Sequence, residues 1–170
     1  MIVWLNGTFG AGKTTTAAKL VGLLPSARFF DPEQVGFMLR HVLREPVHDF
    51  QDLPPWRGLV RETARQVLAH TGGTLVAPQT ILAEDYAREI FDGLAADSVP
   101  VHHFVLHTNE DELVHRIEHD TADPGARQWR LDHVKAYFAA VPWLHASGTV
   151  VDTTGRTPDE VAHAIVSHLA

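Results

Sequence analysis

The sequence predicts an α/β fold: a single domain over residues 1–170 with a parallel sheet covered by helices on both faces. Three observations carry that expectation. Short apolar runs bounded by turn residues recur at Ile2–Leu5, Ala27–Phe30, Thr74–Ala77, Val99–Leu106 and Thr149–Val151. Segments with helical spacing lie between them. A chain of 170 residues, 45% hydrophobic and 21% charged, suits one domain with a sizeable core.

The first run leads straight into Gly7-Thr8-Phe9-Gly10-Ala11-Gly12-Lys13-Thr14, which fits the Walker A pattern G-x-x-x-x-G-K-[ST]. The following stretch, Thr14–Val21, can continue as a helix. A helix N-terminus supplies unpaired N–H groups and the positive end of a dipole, and both favour a polyphosphate. A glycine-rich turn with an incidental lysine would not need these flanks. The strand–loop–helix context therefore predicts a P-loop NTPase that binds ATP with Mg²⁺. Gly7, Gly10 and Gly12 would let the backbone approach the phosphates, with Thr8, Phe9 and Ala11 between them completing the loop. Lys13 would neutralise charge on the β- and γ-phosphates. Thr14 would place its hydroxyl on the metal, and Thr15 would meet the α-phosphate.

The second run ends at Asp31, which should stand at the C-terminal end of its strand. Two readings of Asp31 stay open. It could take a proton from an acceptor hydroxyl, or hold magnesium through water; equally, Asp31-Pro32-Glu33-Gln34 resembles a capping box. Val35, Met38, Leu39 and Val42 make the stripe of the next helix. An irregular, proline-bearing stretch then separates this helix from a further one, whose stripe is Leu59, Ala64, Val67 and Leu68. Residues 45–57 are expected to form an acceptor insert. Around it, Arg40, Phe50, Trp56 and Arg57 could grip a molecule with a polar head and an apolar part. Trp56 and Phe50 serve equally well as core packing.

The third run ends Val76-Ala77-Pro78-Gln79, with no carboxylate where P-loop ATPases usually carry one. Gln79 would face the ligand cleft, since ligands bind beyond the C-terminal strand ends of open α/β sheets. Ile90, Leu94 and Ala95 mark the next helix. After the fourth run, Thr108-Asn109-Glu110-Asp111 signals another helix start, and the polar stretch His119–Gln128 separates that helix from the one beyond. Residues 116–130 are expected to form a lid. Within it Arg116, Arg127 and Arg130 are candidates to meet the charge of a moving phosphoryl group. After the fifth run, Asp152–Arg156 could border the adenine, with Thr153 a contact. Thr157-Pro158-Asp159-Glu160 resembles a third capping box. His115–His119 matches the H-x-x-E-H zinc pattern, but 12 histidines make a chance match easy and no third-ligand segment lies beyond it.

A formal charge of -7 argues against nucleic acid or an anionic membrane as a partner. The absence of cysteine excludes disulfides and thiolate zinc sites. The longest uncharged run, Ala136–Val151, is interrupted by Pro142 and falls short of the ~18–20 residues that span a bilayer. No integral membrane segment is expected. With no basic leader ahead of the first strand, a cytoplasmic location is expected, with peripheral membrane contact left open. No N-K-x-D guanine signature points to a GTPase.

These residues also resemble those of the tunicamycin-resistance protein family, a branch of P-loop small-molecule kinases. The likeness rests on Ile2–Gly7 leading into the loop, then Asp31-Pro32-Glu33, Gly36-Phe37, Asp49-Phe50-Gln51 and Pro55-Trp56-Arg57. It continues through Val76–Ile81, His102-His103-Phe104 and Trp129. The resemblance implies five parallel strands and a lid between later helices, as in shikimate, gluconate and nucleoside-monophosphate kinases. It also implies an acceptor such as tunicamycin or a related nucleotide sugar, phosphorylated on a hydroxyl. A nucleotide-gated protein that sequesters the antibiotic without phosphorylating it is the alternative.

Overall fold

The structure is a computed structural model that describes residues 1–44, 49–120 and 124–169. Its sheet has five parallel strands in the order β2-β3-β1-β4-β5. They are β1 (Ile2–Asn6), β2 (Ala27–Phe29), β3 (Thr74–Pro78), β4 (Val101–His107) and β5 (Thr149–Asp152). The helices are α1 (Lys13–Leu23), α2 (Glu33–Leu43), α3 (Pro54–Thr71), α4 (Glu84–Ala96), α5 (Glu110–Glu118), α6 (Arg127–Ser147) and α7 (Pro158–Leu169). From β1 the chain first moves outward to β2, then returns to β3 and crosses to β4 and β5. That reversal beside β1 opens a crevice at the C-terminal strand ends, where the glycine-rich loop emerges.

Strand β1 is buried along its whole length, as a central strand with helices on both faces must be. Its side chains alternate between two cores. Val3 and Leu5 pack with Ala17, Leu20, Leu106 and Ile165; Ile2 and Trp4 pack with Val60, Leu75, Ala77 and Ile90. Fully burying one such aliphatic side chain contributes about 1.5–3 kcal/mol, so β1 is a rigid base for the glycine-rich loop at its C-terminal end.

Some local expectations shift. The fourth strand begins at Val101, two residues after the apolar run starts, because Val99 and Pro100 turn the chain out of α4. Asn109, not Thr108, caps α5: its Oδ1 accepts from the Glu112 N–H at 2.9 Å, while the Thr108 hydroxyl pairs with Thr154 at 2.7 Å. Thr157 and Glu160 do form the reciprocal box, each side chain accepting from the other's N–H, at 3.3 and 2.7 Å. In α2 only Val35 and Leu39 of the expected stripe are buried; Met38 and Val42 are 49% and 68% exposed. The helix packs against α3, with Val35 and Leu39 seated in the core. Pro142 sits inside α6 rather than ending it, and the neighbouring Trp143 anchors the helix by donating its indole N–H to Leu82 O at 2.9 Å. Among the described residues no helix is long and apolar enough to cross a membrane.

Candidate active site

Residues Gly7 to Lys13 wrap the N-terminus of α1. Gly7, Gly10 and Gly12 all have positive φ, at 137°, 78° and 86°. At Gly7 the restriction is absolute, since an added Cβ would lie 2.6 Å from Leu106 O. The loop is held from below by a buried polar clasp. Asn6 Oδ1 accepts from the N–H groups of Gly7 and Ile81 at 2.8 and 3.0 Å, and its amide donates to Ile81 O at 2.9 Å. The Thr80 hydroxyl donates to Gly7 O at 2.7 Å. Asn6 is fully buried and both of its side-chain polar atoms have partners, as a buried amide requires. Sequence reading did not assign Asn6 or Thr80 a role; a polar residue ending a buried strand was the available signal.

Above the loop lies a cleft of about 710 Å³, with Gly10, Gly12, Lys13, Thr14 and Thr15 on one wall. Ala11 is buried beneath it, and Thr8 is fully buried with its hydroxyl unpartnered. Lys13 Nζ donates to Thr8 O at 2.8 Å and lies 5.5 Å from the Phe9 ring centre. Burial in the loop pulls its pKa down to about 8, with Glu33 acting in the opposite direction. Phe9 in turn packs on Trp129 and His133 of α6, at ring separations of 4.7 and 5.5 Å.

The opposite wall comes from α2 and the short 3₁₀ turn Phe50–Asp52. It carries Glu33, Arg40, Asp49, Phe50 and Gln51. Asp31 is not in it. Both Asp31 oxygens are committed to α2, accepting from the Glu33 N–H at 3.0 Å and the Gln34 amide at 2.9 Å. Glu33, Asp49 and Asp120 all line the cleft, and Glu33 is the acid whose charge acts on Lys13. Its pKa is raised, first by partial burial and then by the charges of Asp31 and Asp49, with Lys13 pulling it back. The sequence signal was present two residues past Asp31, but there Glu33 read as part of the capping box.

The other expected acceptor contacts divide. Phe50 lines the cleft, with the Arg40 guanidinium 4.9 Å from its ring centre. Phe50 packs where only a glycine leaves room, since a Cβ on Gly36 would come within 2.2 Å of the ring. Gln79 also lines the cleft; its amide donates to Thr80 O at 3.2 Å, and its buried Oε1 has no partner. Trp56 and Arg57 do not reach the cleft. Trp56 is fully buried and donates to Pro32 O at 3.1 Å. Arg57 is spent on Glu89 and the Gln51 carbonyl, over the ring of Tyr86. Both hold the wall in place from behind. Part of the expected insert, residues 45–48, lies outside the described residues, as do residues 121–123 of the expected lid.

Of the three arginines, Arg116 and Arg130 line the cleft, while Arg127 is exposed at the start of α6 and does not. Arg116 bridges the loop and the turn after β5, donating to Gly10 O at 3.2 Å and to Thr153 O at 2.8 Å. Thr153 is buried and also meets Arg116 through its hydroxyl at 3.3 Å. Arg130 donates to Asp120 at 2.7 Å. Among the described residues no group of three His, Asp or Glu side chains could hold a metal. The exposed hydroxyl of Thr14 beside the phosphate cradle does fit magnesium, which takes few protein oxygens and completes its shell with phosphates and water.

Fold and loop together define a P-loop nucleotide-binding domain. A family model described as AAA domain matches residues 2–142, and the chain belongs to that family. No curated protein matches the chain. Among solved structures, the tunicamycin resistance protein of Deinococcus radiodurans is similar at 27% identity and a TM-score of 0.75, over 99% of this chain and 94% of that one. A sugar kinase from Janibacter sp. HTCC2649 aligns at 17% identity and a TM-score of 0.67, over 99% and 93% of the two chains. A gluconokinase from Sinorhizobium meliloti 1021 gives 16% and 0.65, over 99% and 92%. At such identities the two kinases speak for the fold alone.

Proposed function

We propose that the protein is an ATP-dependent phosphotransferase that moves the γ-phosphoryl group of ATP onto a hydroxyl of a small molecule. The observation that supports this most is the cleft itself, with a phosphate cradle and Lys13 on one wall and Glu33 across from them. In this reading Glu33 takes the proton as the acceptor oxygen bonds to Pγ and the bond from Pγ to the bridging oxygen of ADP breaks. A carboxylate with a raised pKa is better matched to that task than an ordinary one. Lys13, and Arg130 from the α6 side, meet the charge on the phosphoryl oxygens. Magnesium, held through Thr14, would supply charge neutralisation across the β- and γ-phosphates. Arg116 and Thr153 would border the nucleoside, and Arg40, Phe50 and Gln79 the acceptor.

Asp31 then serves Glu33 indirectly, by capping the helix that presents it and by raising its pKa. The likeness to a tunicamycin resistance protein makes tunicamycin and related nucleotide sugars the first acceptors to try, with phosphorylation of the drug as the route to resistance. A cytoplasmic location follows from dependence on ATP. The test is product analysis after incubation with ATP, magnesium and tunicamycin. A drug species heavier by one phosphate supports transfer. ADP with unmodified drug, or drug bound with no turnover, would overturn it in favour of nucleotide-gated sequestration.

A further inference from the structure

The chain holds four tryptophans, and three of them serve as anchors. Trp4 donates its indole N–H to Gln79 O at 3.1 Å, Trp56 to Pro32 O at 3.1 Å and Trp143 to Leu82 O at 2.9 Å. Trp4 and Trp56 are fully buried, and Trp143 is half-buried. Trp129 differs on both counts. It lines the cleft yet is 47% exposed, and its N–H takes no hydrogen-bond partner among the described residues. An aromatic side chain held open in a cleft offers a ligand an apolar face and a donor together.

The indole is already fixed in place. Phe9 of the phosphate loop packs on it at 4.7 Å between ring centres, and His133, one turn along α6, at 4.2 Å. His133 Nδ1 donates to Trp129 O at 2.6 Å. A ring set in advance contributes contact area with little further ordering cost. Phe9 also fixes which part of the cleft Trp129 borders. Lys13 Nζ and the Arg130 guanidinium lie 5.5 and 6.0 Å from the Phe9 ring centre. These are the two cations assigned to the phosphoryl oxygens, so Trp129 stands beside the terminal phosphate. Arg116 and Thr153, which would border the nucleoside, bond to each other and to Gly10 instead. The molecule next to a terminal phosphate during transfer is the acceptor.

We infer that Trp129 is a specificity-determining residue for the acceptor, a cyclic alcohol that lays a ring on the indole face and offers a nearby oxygen to the indole N–H. The inference rests on the phosphotransfer reading for the roles of Lys13 and Arg130, but binding alone reads it. The test titrates the full chain with tunicamycin, with sorbitol as an open-chain polyol, and with ATP and magnesium, following tryptophan emission and heat. Tunicamycin should change the emission saturably, and Trp129→Leu should remove that change. Sorbitol should leave the emission unaltered. Trp129→Leu should weaken tunicamycin binding about tenfold, and Trp129→Phe should recover part of the loss. Neither substitution should alter ATP affinity, which also shows that each variant is folded. An unchanged tunicamycin affinity in Trp129→Leu, an equal loss for ATP, no recovery in Trp129→Phe, a sorbitol response like that of tunicamycin, or no saturable response at all would each overturn the inference. Should Trp129→Leu fail to fold, the wild-type emission and Trp129→Phe decide it alone. Trp129-dependent binding without a phosphorylated product would sink the transfer reading and leave Trp129 as the residue that reads the ring.

Discussion

The two walls of the cleft are built in different ways. The phosphate wall is one continuous segment whose shape comes from backbone angles, locked by Asn6 and Thr80 onto a buried strand. The facing wall is assembled from side chains on two separate segments, α2 and the 3₁₀ turn, and held from behind by Trp56 and Arg57. Phosphates are alike from one nucleotide to the next, so a fixed backbone suits them. Acceptors differ, and a wall of side chains on independently braced segments can vary without disturbing the loop.

The largest expected effects set the two walls against each other. Lys13→Ala should lower the transfer rate by roughly 10²–10³, measured as phosphorylated product per time at saturating substrates. Glu33→Gln should cost a similar factor, ~10²–10³, while ATP affinity measured by calorimetry stays near wild type. Asp31→Asn is the control for that assignment. If it stops transfer and Glu33→Gln does not, the acid has been placed on the wrong residue.

The next effect is in pH. The phosphate wall needs charged Lys13, and its pKa near 8 is held down by burial. ATP affinity should therefore fall as pH rises through about 8. The stability of the nucleotide-free protein should move the other way. A depressed pKa contributes stability present at high pH and lost as pH falls through about 8, so the difference between wild type and Lys13→Met should grow over that window. Denaturant melts and calorimetry at several pH values read the two trends, and parallel trends would contradict the assignment.

Smaller effects probe the acceptor wall. Gly36→Ala pushes a methyl group into Phe50, an overpacking that should cost about 1–3 kcal/mol. It should raise KM for the acceptor and leave KM for ATP unchanged; an equal rise in both would mean that the walls are not separable. Asp31→Ala removes a helix cap and should cost about 1 kcal/mol in a thermal melt.

The phosphate wall was readable from sequence because its signal is local. Gly7, Gly10, Gly12, Lys13 and Thr14 lie within eight residues, and the positive φ of the three glycines is a local backbone demand that favours glycine before any distant contact is counted. The acceptor wall was only partly readable. Phe50, Arg40 and Gln79 do reach the cleft, but Trp56 and Arg57 face away, and Glu33 rather than Asp31 lines it. Nothing in the spacing of Asp31 and Glu33 says which one caps and which one faces the ligand. The rotation of α2 about its axis settles it, and that depends on how Val35 and Leu39 seat in the core. Arg127 and Arg130 are similarly close in sequence, yet only Arg130 is carried inward by the turn of α6.

From its residues alone this chain was committed to alternating strands and helices, a triphosphate-shaped bend after the first strand, and a sheet buried on both sides. Those features arise from short-range sterics and apolar periodicity, which act within a few residues. The turning of Glu33 rather than Asp31 to the cleft, the brace behind Phe50 and the seat of Trp129 against Phe9 were left to the assembled molecule. Each depends on contacts between segments far apart in the chain, and such contacts exist only once the helices have docked against the sheet.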